Sequence, residues 1–266
     1  MSEAALSEPE GSHVAGARND AMGAGSEKRP AAQLRPRWRR VVDHPLSHLV
    51  AAVLLIALVQ GFLVKLYMVP SGSMQHTLEV GDRILVNRLA AAPDPGDIVV
   101  FTADDELWPS AAAPTVGPLA AAKHAVKWVF GDLLGFGPTT GHTLVKRVIA
   151  VGGQTVSCCD AQGRVIVDGE PLDEPYLFED PLFEPGALDC ETTPRSLRCF
   201  GEVIVPEGML LVLGDHRGAS SDGILQCRGS GEAASDDSCV RWARESDVIG
   251  EAFAVVWPLG RLGAIG

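Results

Sequence analysis

"LSHLVAAVLLIALVQGFLV", residues 46–64, holds no Asp, Glu, Lys or Arg over 19 positions. As a helix rising about 1.5 Å per residue it would cover about 28 Å, close to the hydrocarbon thickness of a bilayer. A cleaved signal peptide begins near residue 1 and ends at a small-residue site, whereas this run starts after more than forty residues and leads into Lys65 and Tyr67. A transmembrane helix is therefore predicted over residues 44–66. The stretch "RPRWRR" sets Arg35, Arg37, Arg39 and Arg40 before the run, and a single Lys follows closely. The positive-inside rule then leaves the N-terminus in the cytoplasm and residues 67–266 on the far side of the cytoplasmic membrane. No later segment is both long and uncharged enough to return.

Charge divides the chain at the same place. Residues 1–40 carry 7 Lys/Arg and 5 Asp/Glu, and residues 41–266 carry 15 and 29, so nucleic acid is excluded as a partner for the bulk of the protein. Residues 1–43 read as a disordered, basic-ended cytoplasmic tail, because the Ala, Gly, Ser and Glu that dominate the first 34 positions cannot bury enough apolar surface to offset the entropy of ordering.

Beyond the anchor, apolar runs of four to eight residues are bounded by Gly, Pro and Asp: "RILVNRL", "GDIVVF", "TLVKRVIAV", "QTVSC", "RVIVDG", "EVIVPEG", "MLLVLGD" and "AFAVVWP". That pattern predicts a mainly β fold over 67–266, with a hairpin turning at Asp168-Gly169. Insertions are expected at about 103–140, 157–202 and 225–240, the first with one helix in "LAAAKHAVKWVFGDLLGFG". Six cysteines suit an oxidising compartment. Cys190 with Cys199 and Cys227 with Cys239 are the expected local pairs out of fifteen possible connectivities. Adjacent Cys158 and Cys159 are not expected to bond to each other, and zinc-type CxxC spacing is absent.

Three stretches carry polar groups in a pattern that suits hydrolysis. "PSGSM" offers Ser73 on a turn, with Pro70 setting the way in and Gly72 permitting close backbone approach. "TLVKRVIAV" embeds Lys146 among Leu144, Val145, Val148 and Ile149, where burial would favour the neutral amine, a competent base; an edge-strand Lys facing solvent is the alternative. "LVLGDHRGASSDG" runs a hydrophobic strand into a dense polar turn.

Taken in order, an N-terminal anchor, "PSGSM" with "TLEVGDRILVNRL", "PGDIVVF", "KRVIAVGG", "GDHRGASSDG" and "VIGEAFAVVWPL" resemble bacterial type I signal peptidase, a membrane-bound Ser-Lys protease family. The resemblance implies a signal-peptidase-type β domain and an endopeptidase that removes signal peptides from exported preproteins at the outer face of the cytoplasmic membrane, through an acyl-enzyme and without a cofactor or metal. Its partners would be signal-peptide-bearing preproteins, the lipid bilayer and a neighbouring export channel. It implies Ser73 as nucleophile, Lys146 as general base, the Ser73 N–H and Ser71 hydroxyl as oxyanion hole, Ser220 as a hydrogen-bond partner of the Lys, and Asp215, Arg217 and Asp222 as braces. The chain departs from the family pattern at His76, where Pro is frequent, at His216 and Gly218-Ala219, where Asn and Asp-Asn are common, and at Ile224, where an Arg often pairs with the acid matched by Asp222. Two rival readings are a self-cleaving repressor-type protease, which would need a DNA-binding module in place of the tail and anchor, and an inactive membrane scaffold.

Overall fold

Helix α1, Pro45–Phe62, opens on a proline, whose fixed φ and missing N–H suit a first helical position. None of its residues is buried, and Leu46, Leu49, Leu54, Leu55, Leu58 and Phe62 stand exposed on it. The computed structural model describes residues 44–90, 92–103, 108, 142–229 and 237–265. The expected tail over 1–43 and the expected helix within 103–140 lie outside the described residues. Among the described residues, α1 is the one helix long and apolar enough to cross a membrane.

The helix stops short of the predicted residue 66. From Val64 the chain is strand β1 (Val64–Met68), paired antiparallel with β2 (Arg83–Asn87) in the register Tyr67↔Ile84. The Arg88 N–H donates to the Leu63 carbonyl at 2.9 Å, closing this pairing at its α1 end.

The predicted strands form, as β2 and as β3 (Ile98–Thr102), β4 (Thr143–Val151), β5 (Thr155–Cys158), β6 (Val165–Val167), β8 (Phe200–Ile204), β9 (Met209–Leu213) and β11 (Val248–Trp257); β7 (Glu170–Pro171) is the far arm of the expected hairpin, and the two-residue β10 (Ala243–Arg244) and β12 (Gly263–Ala264) were not foreseen. One sheet runs β1-β2-β11-β3-β4-β9-β10, with β12 on β11, and a smaller sheet runs β7-β6-β5-β8. All these pairings are antiparallel. The β6–β7 hairpin turns at Asp168 and Gly169 with φ of 51° and 83°, the left-handed pair that a two-residue Asp-Gly turn requires.

The large sheet is covered on both faces at its centre. In β3, Ile98 and Val100 join Tyr67, Met74, Leu78, Ile84 and Ala252 in one cluster, while Val99 and Phe101 join Trp108, Val148, Leu210 and Val212 in another. Alternate side chains of a strand point to opposite faces, so both faces of β3 are interior. Strand β4, between β3 and β9, is buried continuously from Val145 to Ala150. An edge position for Lys146 is thereby ruled out.

Cys190–Cys199 and Cys227–Cys239 are bonded as expected. Cys158 and Cys159 correct the sequence reading: they are bonded to each other. With the other four sulfurs engaged in local pairs, these two have no other cysteine to meet, and no free cysteine remains.

Candidate active site

The chain leaves β1 through Val69 and Pro70 into Ser71, which is extended (φ −140°, ψ 161°) and precedes a single 3-10 turn, Gly72–Met74. Met74 is fully buried beneath this turn, a burial worth about 1.5–3 kcal/mol, and the Leu78 N–H donates back to its carbonyl. The anchored turn presents Ser73, 8% exposed, to β4. Lys146 Nζ lies 2.6 Å from Ser73 Oγ. Lys146 is itself only 3% exposed. Burial pushes its pKa down to about 8, against an upward pull from the negative charges of Asp222 and Asp215.

The polar turn after β9 braces this pair. Buried Asp215 accepts from Arg147 Nε and Nη2 at 2.9 and 2.8 Å and from the Thr77 hydroxyl at 2.5 Å. It thus ties β4, the segment after the Ser73 turn and its own turn together. Arg147 also donates to the Gly96 carbonyl at 2.8 Å and stacks 3.8 Å from the Tyr176 ring centroid. Arg217 donates to the Gly214 carbonyl at 3.0 Å and pairs with Glu174, both side chains being buried. Asp222, 0% exposed, receives Arg228 Nη2 at 3.1 Å. Arg228 lies four positions past Ile224, where the resemblance leads one to look for such an arginine.

Ser220 is buried, but its Oγ makes no hydrogen bond, so the expected bond to Lys146 is absent. Its hydroxyl packs instead against the Gly214 backbone. A Cβ at Gly214 would fall 2.2 Å from Ser220 Oγ and 2.4 Å from the Ser73 carbonyl, which is why the strand end must be glycine. The Ser71 side chain is exposed and forms no cap to the 3-10 turn.

The motif departures have local causes. His76 has φ 79°, a conformation closed to proline. His216 donates its backbone N–H to the Ser73 carbonyl at 3.1 Å. Its ring Nδ1 is 3.0 Å from Gln75 Oε1 and its Nε2 is 3.0 Å from Glu179 Oε2. The Phe178–Glu179 segment runs beside this turn: the Phe178 N–H donates to the Asp215 carbonyl and the Gly218 N–H to the Glu179 carbonyl, each at 2.9 Å. A Cβ at Gly218 would sit 2.5 Å from that Glu179 carbonyl, so the exchange to glycine and the approach of this strap go together.

Sequence reasoning missed Arg147, Arg228, Glu174 and Glu179. Arg147 carried a signal, since a second cation in an apolar strand needs a buried carboxylate. The other three come from the insertions, where spacing gives no hint of a partner.

The family described as signal peptidase, peptidase S26 matches residues 43–257. The chain belongs to this family. A signal peptidase I of Mycobacterium tuberculosis (strain CDC 1551 / Oshkosh) is 37% identical over 246 residues, covering 87% of this chain and 78% of the relative. A probable signal peptidase I of Mycobacterium leprae (strain TN) is 36% identical over 220 residues, covering 77% and 72%. The crystal structure of a signal peptidase I from Enterococcus faecalis V583 corresponds loosely, at 19% identity over 60% of this chain and 97% of its own, with a TM-score of 0.30. As a member of the signal peptidase family the protein is a serine endopeptidase, and removal of signal peptides from preproteins is the reaction that membership supports.

Proposed function

We propose that this chain cleaves signal peptides from exported preproteins at the outer face of the cytoplasmic membrane, with Ser73 as nucleophile and Lys146 as general base. The observation that carries the reading is the 2.6 Å approach of a buried lysine amine to a serine hydroxyl. A neutral Lys146 takes the Ser73 proton as Ser73 Oγ attacks the scissile carbonyl carbon. The Ser73 N–H and the exposed Ser71 hydroxyl, which no cap bond engages, face the developing oxyanion. Collapse of the tetrahedral intermediate breaks the C–N bond, Lys146 returns its proton to the leaving amine, and the acyl group stays on Ser73. Lys146 then takes a proton from water as the water oxygen attacks the acyl carbon; the acyl C–O bond breaks, and Lys146 returns that proton to Ser73 Oγ, restoring the hydroxyl and the neutral amine.

Asp215, Arg217 and Asp222 act as braces in this scheme, and buried Ser220 lines the site beside Gly214. The base works near neutral pH because its pKa lies at about 8, so the rate should climb with pH through that region. Ser73 follows Val64 by nine positions, a reach of about 30 Å at most, which keeps the site near the membrane surface, where a signal peptide's cleavage point follows its apolar segment.

The test is cleavage of a preprotein in detergent micelles. Ser73→Ala and Lys146→Ala are each expected to abolish it. Normal turnover by either variant would overturn the assignment.

A further inference from the structure

Lys146 is surrounded by opposed charges. From the turn after β9 come Asp215 and Asp222, from β4 itself Arg147, and from the segment beyond Ile224 Arg228; His216, paired with Glu179, stands at the nucleophile turn, and β3 sets only Val99 opposite. The two carboxylates are held very differently. Asp215 has three hydrogen bonds, two from one guanidinium. Asp222 has one from Arg228, while its own Oδ1 and the Arg228 Nε, both buried, have none. Yet Asp222 acts on Lys146 more strongly than Asp215 does. The charge that most opposes a neutral Lys146 is therefore offset through a single contact at 3.1 Å.

That contact has an anchor of its own. Arg228 follows Cys227, which is completely buried and bonded to Cys239, twelve residues on. On the other side the Gly229 N–H donates to the Cys199 carbonyl at 2.8 Å, within the second local disulfide. Arg228 is thus gripped at both neighbours.

We infer that Arg228 is a positioning residue for the Lys146 base: seated by the Cys227–Cys239 disulfide, its guanidinium neutralises Asp222 and so keeps the amine beside Ser73 available in its neutral form. Removing a positive charge raises the proton affinity of every group around it. Loss of Arg228, or of the disulfide that seats it, therefore leaves Lys146 protonated to higher pH. An enzyme with reduced cysteines would be slow at neutral pH and recover in alkali, which makes the disulfide a condition of full activity and not only of folding.

This inference rests on the Ser73–Lys146 reading, and the pH profile of kcat/KM on a peptide substrate, measured with the full chain in detergent, separates the two. Arg228→Gln should move the rising limb upward by roughly 1 pH unit, Arg228→Lys should restore most of the shift, and Cys227→Ser/Cys239→Ser should shift the limb in the same direction. A kcat/KM lowered equally at all pH values, with the limb unmoved in Arg228→Gln, would reduce Arg228 to a structural role and overturn the inference. An unmoved limb in the double cysteine variant alone would overturn the part played by the disulfide. Should Arg228→Gln fold too poorly to assay, the limb of Asp222→Asn/Arg228→Gln is compared with that of Asp222→Asn: loss of the guanidinium should raise it, and equal limbs would again overturn the inference. Turnover by Lys146→Ala would instead bring down the underlying reading.

Discussion

At pH 9 Lys146 is mostly neutral in the folded chain, where its pKa is about 8, and mostly charged in the unfolded chain, where the ordinary value of 10.5 applies. The unfolded state binds this proton more tightly, so stability rises with pH between those two values. Below about pH 8 the full penalty of a buried ammonium is present; above 10.5 it has gone. Lys146→Met, similar in length and never charged, should therefore be inactive yet more stable at pH 7 by roughly 3 kcal/mol, with the advantage shrinking toward pH 10. Urea denaturation at both pH values checks this, and equal gains at both would contradict the titration account. Lys146 stood out in the sequence as a cation in an apolar strand, whereas Ser73, one hydroxyl in an ordinary Pro-Gly turn, was picked out by the family resemblance. Arg228 was marked by neither, since nothing local in "LQCRGS" indicates a carboxylate six residues back.

Among the elements, β11 shows how close packing limits substitution. Its register shifts between Val248 and Gly250 against β3, and Gly250 has φ 158°. A Cβ there would fall 2.1 Å from the Asn87 carbonyl of β2, a backbone atom that cannot swing away. Gly250→Ala should cost at least about 2 kcal/mol, read as a lowered Tm, because β2 must shift away from β11 to make room. Strands of this kind were readable from apolar runs between turn residues. The end of α1 was not: Leu63, Val64 and Leu66 are as apolar as the helix before them, and only pairing with β2 turns them from helix to strand.

For the whole molecule, α1 carries apolar side chains that no other described part of the chain covers, while β1 begins two residues after it. A chain starting at Val64 should therefore keep every described strand, remain soluble without detergent and still cleave a short peptide, but lose rate on a preprotein held in a bilayer. Sedimentation and paired assays on the two substrates check this; equal rates on the bilayer-held preprotein would contradict the role given to the helix. The sequence by itself determined the membrane-crossing length, the β class, the turn at Asp168-Gly169 and the placing of a lysine inside an apolar strand. Each follows from local chemistry: hydropathy over a window, apolar runs bounded by turn residues, left-handed turn geometry, a charge among apolar neighbours. Only the tertiary structure decided that Asp215 binds Arg147, that Asp222 binds Arg228, that the Phe178–Glu179 strap lies against the site turn and that Cys158 bonds to Cys159. Arg147 and Asp215 are 68 positions apart, and even the six-residue pair and the adjacent cysteines meet through backbone geometry that no local pattern states.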